Sequence, residues 1–414
     1  MRKMKSINRV ILLLSIGSMC IVGCVKKNLP DEFLNEQITQ SIHFFENAFD
    51  KEEGIYLSDV DEKGKVTGDD IHTVAFSRML YGLSYVSVSN PDYLQRANRM
   101  AGFQISNMIG NDSLGTYFIP TINGEEQSVG DYLDIWQQAY GLCGLSELYR
   151  VGNNPDLLPF IRKNASLLIK RFRDEENGGF YADYKIGEGG VSGSKTLQSL
   201  MYPITAFMGN LWLADIDNRE VYEKVIKEHL DIAYKAVWND SLGWVNLRFN
   251  DRWEPVFSDS DVVSPGHNFQ FAALLLRSKN WSFLSSEERR NYQSLARRII
   301  QTTLNKPIWS PKGIGDGFFE NINPHNNQVV SKYKSWWQHC EALIALSFVK
   351  EEYQSEFKQI YDFYFNTFID KELGGEWAKV DENNNPVIEP KGQRGKSVYH
   401  HIELIRFLRE ADLK

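Results

Sequence analysis

The sequence predicts an all-α protein, an (α/α)6 barrel with short β-hairpins or loops at one mouth. A turn-like word containing glycine and an aromatic residue recurs six times along the 414 residues. Between successive words lie two helical patterns, one apolar nearly all round and one amphipathic. The last apolar pattern pairs with the first amphipathic one, which closes a ring of six helical hairpins.

The repeated word divides the chain into units. Its six forms are DKEEGIY from Asp50, NDSLGTY from Asn111, DEENGGFY from Asp174, NDSLGW from Asn239, GIGDGFF from Gly313 and DKELGGEW from Asp370. We predict that each word ends an outer helix, with its glycine as the left-handed terminator. The aromatic-rich residues that follow predict short strands around one mouth, and the Asn-rich KVDENNNPV from Lys379 predicts a tight hairpin loop.

The helices follow in order from these boundaries. The predicted inner helices span 70–87, 132–150, 196–213, 266–278, 335–349 and 398–410. The predicted outer helices span 32–49, 93–108, 155–172, 219–236, 286–304 and 352–368. Pro203 lies inside the third inner helix, where it removes a hydrogen bond and predicts a kink. An open helical solenoid is the alternative, but the pairing of 32–49 with 398–410 favours a closed ring.

Composition limits the class of partner. The net charge is −8 and the estimated pI is 5.6, so the chain lacks the basic balance needed to bind nucleic acid through its phosphates. Cys143 and Cys340 lie in apolar helical patterns, which predicts buried free thiols. No zinc-type Cys/His spacing is present, so we expect no zinc site. The sequence leaves open whether the chain is a monomer or a homodimer.

The N-terminus predicts export. A basic start precedes an apolar run, VILLLSIGSMCIVG, that is too short to span a bilayer and is typical of a signal peptide. The run ends in IVGC, which resembles a bacterial lipobox with Cys24 as the lipid-bearing residue; a plain signal peptide or a short membrane anchor is the alternative. We therefore predict a lipoprotein signal peptide at 1–23, a tether at 24–31 and a single barrel domain at 32–414. We therefore also predict that the chain is exported and anchored to a membrane, where it faces the periplasm or the cell surface.

Two histidines occupy matching places in the ring. Ser264 and Pro265 are good first residues for a helix, which puts His267 in its first turn. His267 and Tyr202 each follow their turn glycine by 24 residues, and His400 follows its own by 26. Each could be a structural histidine satisfied by hydrogen bonds. Two at the same depth instead favour a shared pocket, where imidazoles can act as base and acid near neutral pH.

Aromatic and acidic residues complete the predicted pocket. Trp336 and Trp337 begin the fifth inner helix, where they either pack in the core or stack against a sugar. Glu341 shares a face with Trp337 and needs a partner if buried, so a structural ion pair and a catalytic role both remain open. Trp377 and Trp136 are further candidates for the pocket wall.

At these residues the sequence resembles the N-acylglucosamine 2-epimerase superfamily, which includes cellobiose 2-epimerases, mannose isomerases and sulfoquinovose isomerase. The words that carry the resemblance are SPGHNFQFAALLLR, KSWWQHCEALIAL, DIWQQAYGLCGLSELYR, RDEENGGFY, GEWAKVDENNNP and KSVYHHIEL. They follow the family order over nearly all of the chain beyond the signal peptide.

The resemblance implies an isomerase that acts on the reducing end of a free mono- or disaccharide. A histidine would take the proton next to the carbonyl, and a cis-enediol(ate) would form without a metal or redox cofactor. Return of the proton to the other face of C2 gives epimerisation, and return to C1 gives aldose–ketose isomerisation. The family's two acid/base histidines fall on His267 and His400.

Several family positions depart from the pattern. A third family histidine falls on Tyr202, and two family glutamates fall on Thr205 and Gln270. One family arginine falls on Glu403, and another falls on or near Ile71 and His72. These changes keep open a carbohydrate-binding member without catalysis. A glycoside hydrolase or lyase on the same barrel is a further alternative, which would need two carboxylates at the site.

Overall fold

The computed structural model describes residues 31–122, 125–126, 131–152, 154–187, 190–191, 193–258 and 260–412. The helices in this part of the chain are α1 (Asp31–Phe44), α2 (Thr73–Ser87), α3 (Asp92–Asn107), α4 (Ile135–Gly141), α5 (Cys143–Gly152), α6 (Leu158–Phe172), α7 (Leu197–Pro203), α8 (Gly209–Ala214), α9 (Arg219–Ala236), α10 (Pro265–Arg277), α11 (Ser286–Leu304), α12 (Trp336–Ser347), α13 (Gln354–Thr367) and α14 (Tyr399–Asp412). The predicted signal peptide and Cys24 lie outside the described residues. No helix within the described ranges has the length and apolar character needed to cross a membrane.

The helices alternate between an inner and an outer layer, as predicted. Inner helix α12 is buried at every position from Gln338 to Ser347. Outer helix α11 buries one stripe only, with Tyr292, Leu295 and Ile299 on its inward face. This contrast is what the two sequence patterns require, because an inner helix contacts protein on all sides and an outer helix has one face in water.

The ring is closed. Helix α14 packs against α12 on one side and against α1 and α2 on the other, which joins the last unit to the first. An isolated β-bridge between Val60 and Gly392 makes the same connection at the mouth. The barrel is therefore an (α/α)6 ring, and the open solenoid is excluded.

The strands are short and lie in the connections between helices. They are β1 (Phe49–Asp50), β2 (Ile55–Tyr56), β3 (Ile109–Asp112), β4 (Gly115–Phe118), β5 (Thr121–Ile122), β6 (Glu125–Glu126), β7 (Tyr132–Asp134), β8 (Asp183–Lys185), β9 (Gly190–Val191), β10 (Lys195–Thr196), β11 (Trp238–Asn239), β12 (Trp244–Val245), β13 (Arg248–Phe249), β14 (Asn321–Ile322), β15 (Val329–Ser331), β16 (Lys334–Ser335) and β17 (Lys379–Val380). They pair antiparallel, mostly as hairpins, while β7–β8, β10–β13 and β16–β17 join neighbouring units.

The repeated glycine word has a different role from the one predicted. Helix α6 already ends at Phe172, and the word that follows forms a tight turn closed by the Gly178 N–H, which donates to the Asp174 carbonyl over 3.1 Å. Asp174 Oδ1 accepts the N–H groups of the two residues before the glycine. Gly178 does adopt the left-handed conformation, with φ of 73°. The prediction of a helix terminator was wrong because the acidic residue and the glycine build a separate turn beyond the helix.

A buried lysine holds three of these turns. Lys195 Nζ donates to Asp174 Oδ2 over 2.5 Å, and Lys391 Nζ donates to Asp370 Oδ2 over 2.6 Å and to the Gly374 carbonyl over 2.8 Å. Each lysine follows its turn glycine by 17 residues, in the pairs Gly178 and Lys195, Gly317 and Lys334, and Gly374 and Lys391. We call Lys195, Lys334 and Lys391 the lysine clamps. Each stands directly before an inner helix or the loop leading to it, so the clamps fix where those helices begin.

The third inner helix is irregular. Helix α7 ends at Pro203, and a π-helical turn over Ile204–Met208 connects it to α8. A proline lacks the N–H that the α-helical ladder needs, which accounts for a change of hydrogen bonding at this point. Cys143 and Cys340 are buried free thiols, as predicted.

Candidate functional site

A cavity of about 300 Å³ opens at the mouth where the inner helices begin. All six inner helices supply lining residues from their first two turns, and the loop before α14 supplies the rest of one side. The lining residues are Arg78, Trp136, Gln198, Tyr202, His267, Gln270, Trp336, Trp337, Gln393, Gly395, Lys396 and His400. The cavity therefore collects most of the predicted site residues in one place.

His267 stands in the first turn of α10, behind Ser264 in extended conformation and Pro265 at the first helical position. Its ring lies against Trp337, with 5.2 Å between the ring centroids. Its Nδ1 is buried without a hydrogen-bond partner, which leaves Nε2 as the nitrogen open to the cavity. Burial lowers the pKa of His267 to about 4, against the opposing charge of Glu341. The ring is therefore neutral at neutral pH and able to accept a proton.

His400 is the second residue of α14 and is buried at the cavity wall. Its Nδ1 lies 3.5 Å from Glu341 Oε1, and its ring centroid lies 6.1 Å from that of Trp337. Burial lowers the pKa of His400, while the neighbouring Glu341 carboxylate raises it. Trp337 thus contacts both histidines, and the two imidazoles share one cavity.

Glu341 connects three inner helices. It projects from α12, accepts a hydrogen bond from Gln270 Nε2 of α10 over 2.9 Å and approaches His400 of α14. Its side chain is only 10% exposed. A buried carboxylate in this place orients the imidazole beside it and favours its protonated form.

Tyr202 projects from α7 into the cavity, and its ring packs edge-on against Tyr140 with 5.5 Å between centroids. Burial raises the pKa of Tyr202 well above its ordinary value. The phenol therefore stays protonated and can donate a hydrogen bond, but it cannot act as a base near neutral pH.

Two cationic residues of the cavity were not predicted. The arginine that reaches the cavity from the first inner helix is Arg78, later in the chain than the position near Ile71 and His72 that the resemblance suggested. Its guanidinium lies 4.1 Å from the Tyr140 ring centroid and donates to the Gly395 carbonyl. The signal in the sequence is a single arginine within the apolar stretch TVAFSRMLYGL.

Lys396 is the second cationic residue of the cavity that was not predicted. Its Nζ donates to the Lys391 carbonyl over 2.9 Å and lies 5.2 Å from the Trp336 ring centroid. Burial lowers the pKa of Lys396 to about 8, although Glu376 at 3.8 Å opposes that effect. The word KSVYHHIEL contains this lysine, but its spacing alone gave no reason to place it in the pocket.

Other candidates lie elsewhere. Trp377 does not line the cavity, and its ring packs against Lys391 Nζ at 4.1 Å. His339 stacks on Phe318 with 4.0 Å between centroids and is structural. Within the described ranges, Asp59, Asp70 and His72 lie close enough together to bind a cation. His72 Nε2 lies 3.3 Å from Asp59 Oδ1, and this direct contact explains why the three side chains are close.

Comparison with known proteins places this chain in a family. The family model described as N-acylglucosamine 2-epimerase (GlcNAc 2-epimerase) matches residues 39–403. A cellobiose 2-epimerase from Dictyoglomus turgidum is 22% identical over 393 residues, which cover 89% of this chain and 94% of that protein.

Two solved structures share the fold. A crystal structure of D-mannose isomerase superposes with a TM-score of 0.77 at 17% identity and covers 92% of this chain and 97% of its own. The structure of cellobiose 2-epimerase from Bacillus thermoamylovorans B4167 also superposes with a TM-score of 0.77, at 20% identity. The match covers 92% of this chain and 100% of that one. Because the family model spans the barrel from its first outer helix to its last inner one, this chain belongs to the N-acylglucosamine 2-epimerase family.

Proposed function

We propose that the protein is a sugar 2-epimerase or aldose–ketose isomerase that moves a proton at the reducing end of a free mono- or disaccharide. The observation that carries this proposal is the pair His267 and His400, a half-buried and a buried imidazole that flank Trp337 in one cavity. A neutral imidazole can remove a proton next to a carbonyl and return it, so two of them on one cavity can serve both faces of an enediolate. The relatives are named as enzymes of this kind, which supports the same reading.

Each neighbouring side chain then has a role. Glu341 stabilises His400 after it gains a proton, because an adjacent carboxylate favours the imidazolium. Arg78 offers a fixed positive charge in a partly dry cavity, where it can stabilise the developing oxyanion. Tyr202 donates a hydrogen bond to a sugar oxygen. Trp336 and Trp337 offer indole faces for the sugar ring.

Acid–base chemistry by carboxylates is less well supported. A glycoside hydrolase needs two carboxyl groups on either side of the scissile bond. Among the described residues that line the cavity there is no aspartate or glutamate, and Glu341 lies behind His400 rather than on the wall. The lining supports proton transfer by histidine instead.

The test is proton NMR of the purified chain with sugars in D2O. The panel is glucose, mannose, fructose, N-acetylglucosamine, N-acetylmannosamine and cellobiose. We expect deuterium to enter C2 or C1 of at least one sugar, and His267→Ala and His400→Ala each to slow this at least about 100-fold, the usual contribution of one acid–base group.

His43→Ala is the control for that test, because His43 is exposed on outer helix α1 and does not line the cavity. It should exchange like the parent chain. Exchange that persists in both cavity variants would refute the assignment of the histidines. Binding of a sugar without any exchange would instead identify a carbohydrate-binding member that has lost its chemistry.

We further propose that the chain is an exported lipoprotein anchored through Cys24. The support is the order of basic, apolar and lipobox-like segments in the first 24 residues. Incorporation of labelled fatty acid into the full chain, and its loss in Cys24→Ala, would test this.

A further inference from the structure

A second, small cavity lies beneath the first, on the far side of Glu341. Its volume is about 30 Å³, enough for one water molecule. The residues that line it are Tyr140, Thr205, Gln270, Ala273, Leu274, Arg277, Glu341, Ile344, Tyr399, Glu403 and Phe407. A water there would have several polar partners, which is the condition for a buried water to be stable.

Three positions at which the chain departs from the family pattern meet at this cavity. Thr205 and Gln270 stand where the resemblance expects glutamates, and Glu403 stands where it expects an arginine. They belong to three different inner helices, α10, α14 and the π-helical turn after α7. Relative to the family pattern, this cavity lacks two carboxylates, at Thr205 and Gln270, and gains one, at Glu403. The departures therefore form one rearrangement of charge and are not scattered losses.

Both carboxylates at the cavity have one oxygen bound to protein. Glu341 Oε1 accepts from Gln270 and lies near His400 Nδ1. Glu403 Oε2 accepts from the Tyr81 hydroxyl. In the described part of the chain no side chain donates to Glu341 Oε2 or to Glu403 Oε1. An ionised carboxylate oxygen in a buried place needs a donor, and a water in this cavity can supply one.

The charged groups around Glu403 come from several helices. Arg406 Nη1 lies 3.7 Å from Glu403 Oε2 and 3.9 Å from Glu147 Oε2, and its Nε lies 3.1 Å from Glu410 Oε1, so one guanidinium serves three carboxylates. Glu147 is also held by Arg150 over 2.6 Å, and Arg277 lines the cavity itself. Burial raises the pKa of Glu403 despite Arg406 and Arg277. A water in the cavity has two O–H groups, enough to donate one to each carboxylate.

We propose that a buried water in this cavity links Glu403 to the Glu341–His400 pair, which makes Glu403 a positioning residue for His400. The water donates one O–H group to Glu341 Oε2 and the other to Glu403 Oε1, which holds the Glu341 side chain in place beside His400. The role in a reaction rests on the proposed function, but the water and its effect on His400 do not.

The first measurement is a high-resolution crystal structure of the parent chain and of Glu403→Leu. We expect an ordered water within hydrogen-bond distance of Glu341 and Glu403 in the parent chain, and none in Glu403→Leu. An empty cavity in the parent chain would overturn the proposal.

The second measurement is an NMR titration of the His400 ring in sugar-free protein, with Glu403→Gln as the conservative variant. Without the water, Glu341 is no longer held against His400 and supports the imidazolium less, so the His400 midpoint should fall by about one pH unit in Glu403→Leu. Glu403→Gln keeps hydrogen-bonding capacity at the cavity and should shift less.

Glu147→Gln is the matched control, because Glu147 contacts the same Arg406 but does not line the cavity. An equal shift in Glu147→Gln and Glu403→Leu would show a general effect of the network and would refute a water-mediated link. No sugar is present, so a failure of the sugar exchange experiment leaves this result intact, and the converse also holds.

Discussion

The lysine clamps make a quantitative prediction about stability. In the sixth unit, Lys391 is fully buried and Asp370 is 7% exposed. Lys391 donates to the Asp370 carboxylate and to the Gly374 carbonyl. Replacing Lys391 with Met fills a similar volume but leaves a buried carboxylate with only the turn N–H groups as donors. Removing one partner of a buried pair costs about 3–5 kcal/mol.

The expected change in melting temperature follows from the size of the barrel. The unfolding entropy of about 380 ordered residues is roughly 0.8 kcal/mol/K, so a loss of 4 kcal/mol lowers the Tm by about 5 °C. Urea unfolding followed by circular dichroism gives the free energy, and a thermal scan gives the Tm. Asp370→Asn together with Lys391→Met removes both charges, so it should lose less than the sum of the single variants.

The matched control is Lys358→Met, which breaks the exposed pair between Lys358 and Asp362 on α13. Pairs of that kind contribute less than about 1 kcal/mol. If Lys391→Met destabilises the chain no more than Lys358→Met does, the clamp is not a buried ion pair in solution and the reasoning fails.

Two further predictions concern titratable groups. Glu341→Gln removes the charge that raises the pKa of His400, so any exchange should slow about 10-fold to 100-fold and its acid limb should move to lower pH; an unchanged profile would exclude the pairing. Burial lowers the pKa of His229 and His267 to about 4 and that of His339 to about 3, from an ordinary value of 6.5. These rings stay neutral in the fold, so their contribution to stability is complete above pH 6.5. It is lost as the pH falls towards 4, by about 1.4 kcal/mol per pH unit for each. Urea unfolding at pH 7.0 and 5.5 measures this, and His339→Gln should reduce the difference; equal stability at both values would contradict it.

The sequence predicted the outer helices closely because their signals are local. The range predicted as 286–304 is the observed Ser286–Leu304, where an apolar stripe repeats every three or four residues and Ser285 with Glu288 forms a capping box. The range 219–236 matches Arg219–Ala236 in the same way. Such patterns depend on neighbours along the chain and need no knowledge of the tertiary fold.

The errors concern contacts between distant residues. The partner of Asp174 is Lys195, at the other end of the same connection, directly before α7. Sequence patterns gave no reason to pair them, although the 17-residue spacing from Gly178 to Lys195 is visible once the structure is known. Arg78 was missed because motif spacing gave the wrong register for the first inner helix. Trp377 was placed in the pocket as an aromatic residue near the mouth, but its ring packs on Lys391 and does not face the cavity.

The clamps have a consequence for how the mouth can change. In the fifth and sixth units, a segment of the connection runs from the turn to the lysine that is hydrogen-bonded to that turn. These segments are residues 318–333 and 375–390. The hydrogen bonds of the lysine therefore hold the two ends of each segment close together. Residues 375–390 also contain β17, which pairs with β16 directly before α12, and Asn384, whose Oδ1 accepts from Lys334 Nζ over 2.6 Å. A change in the sixth connection therefore reaches the start of the fifth inner helix, so the mouth of this barrel varies as a linked set of connections.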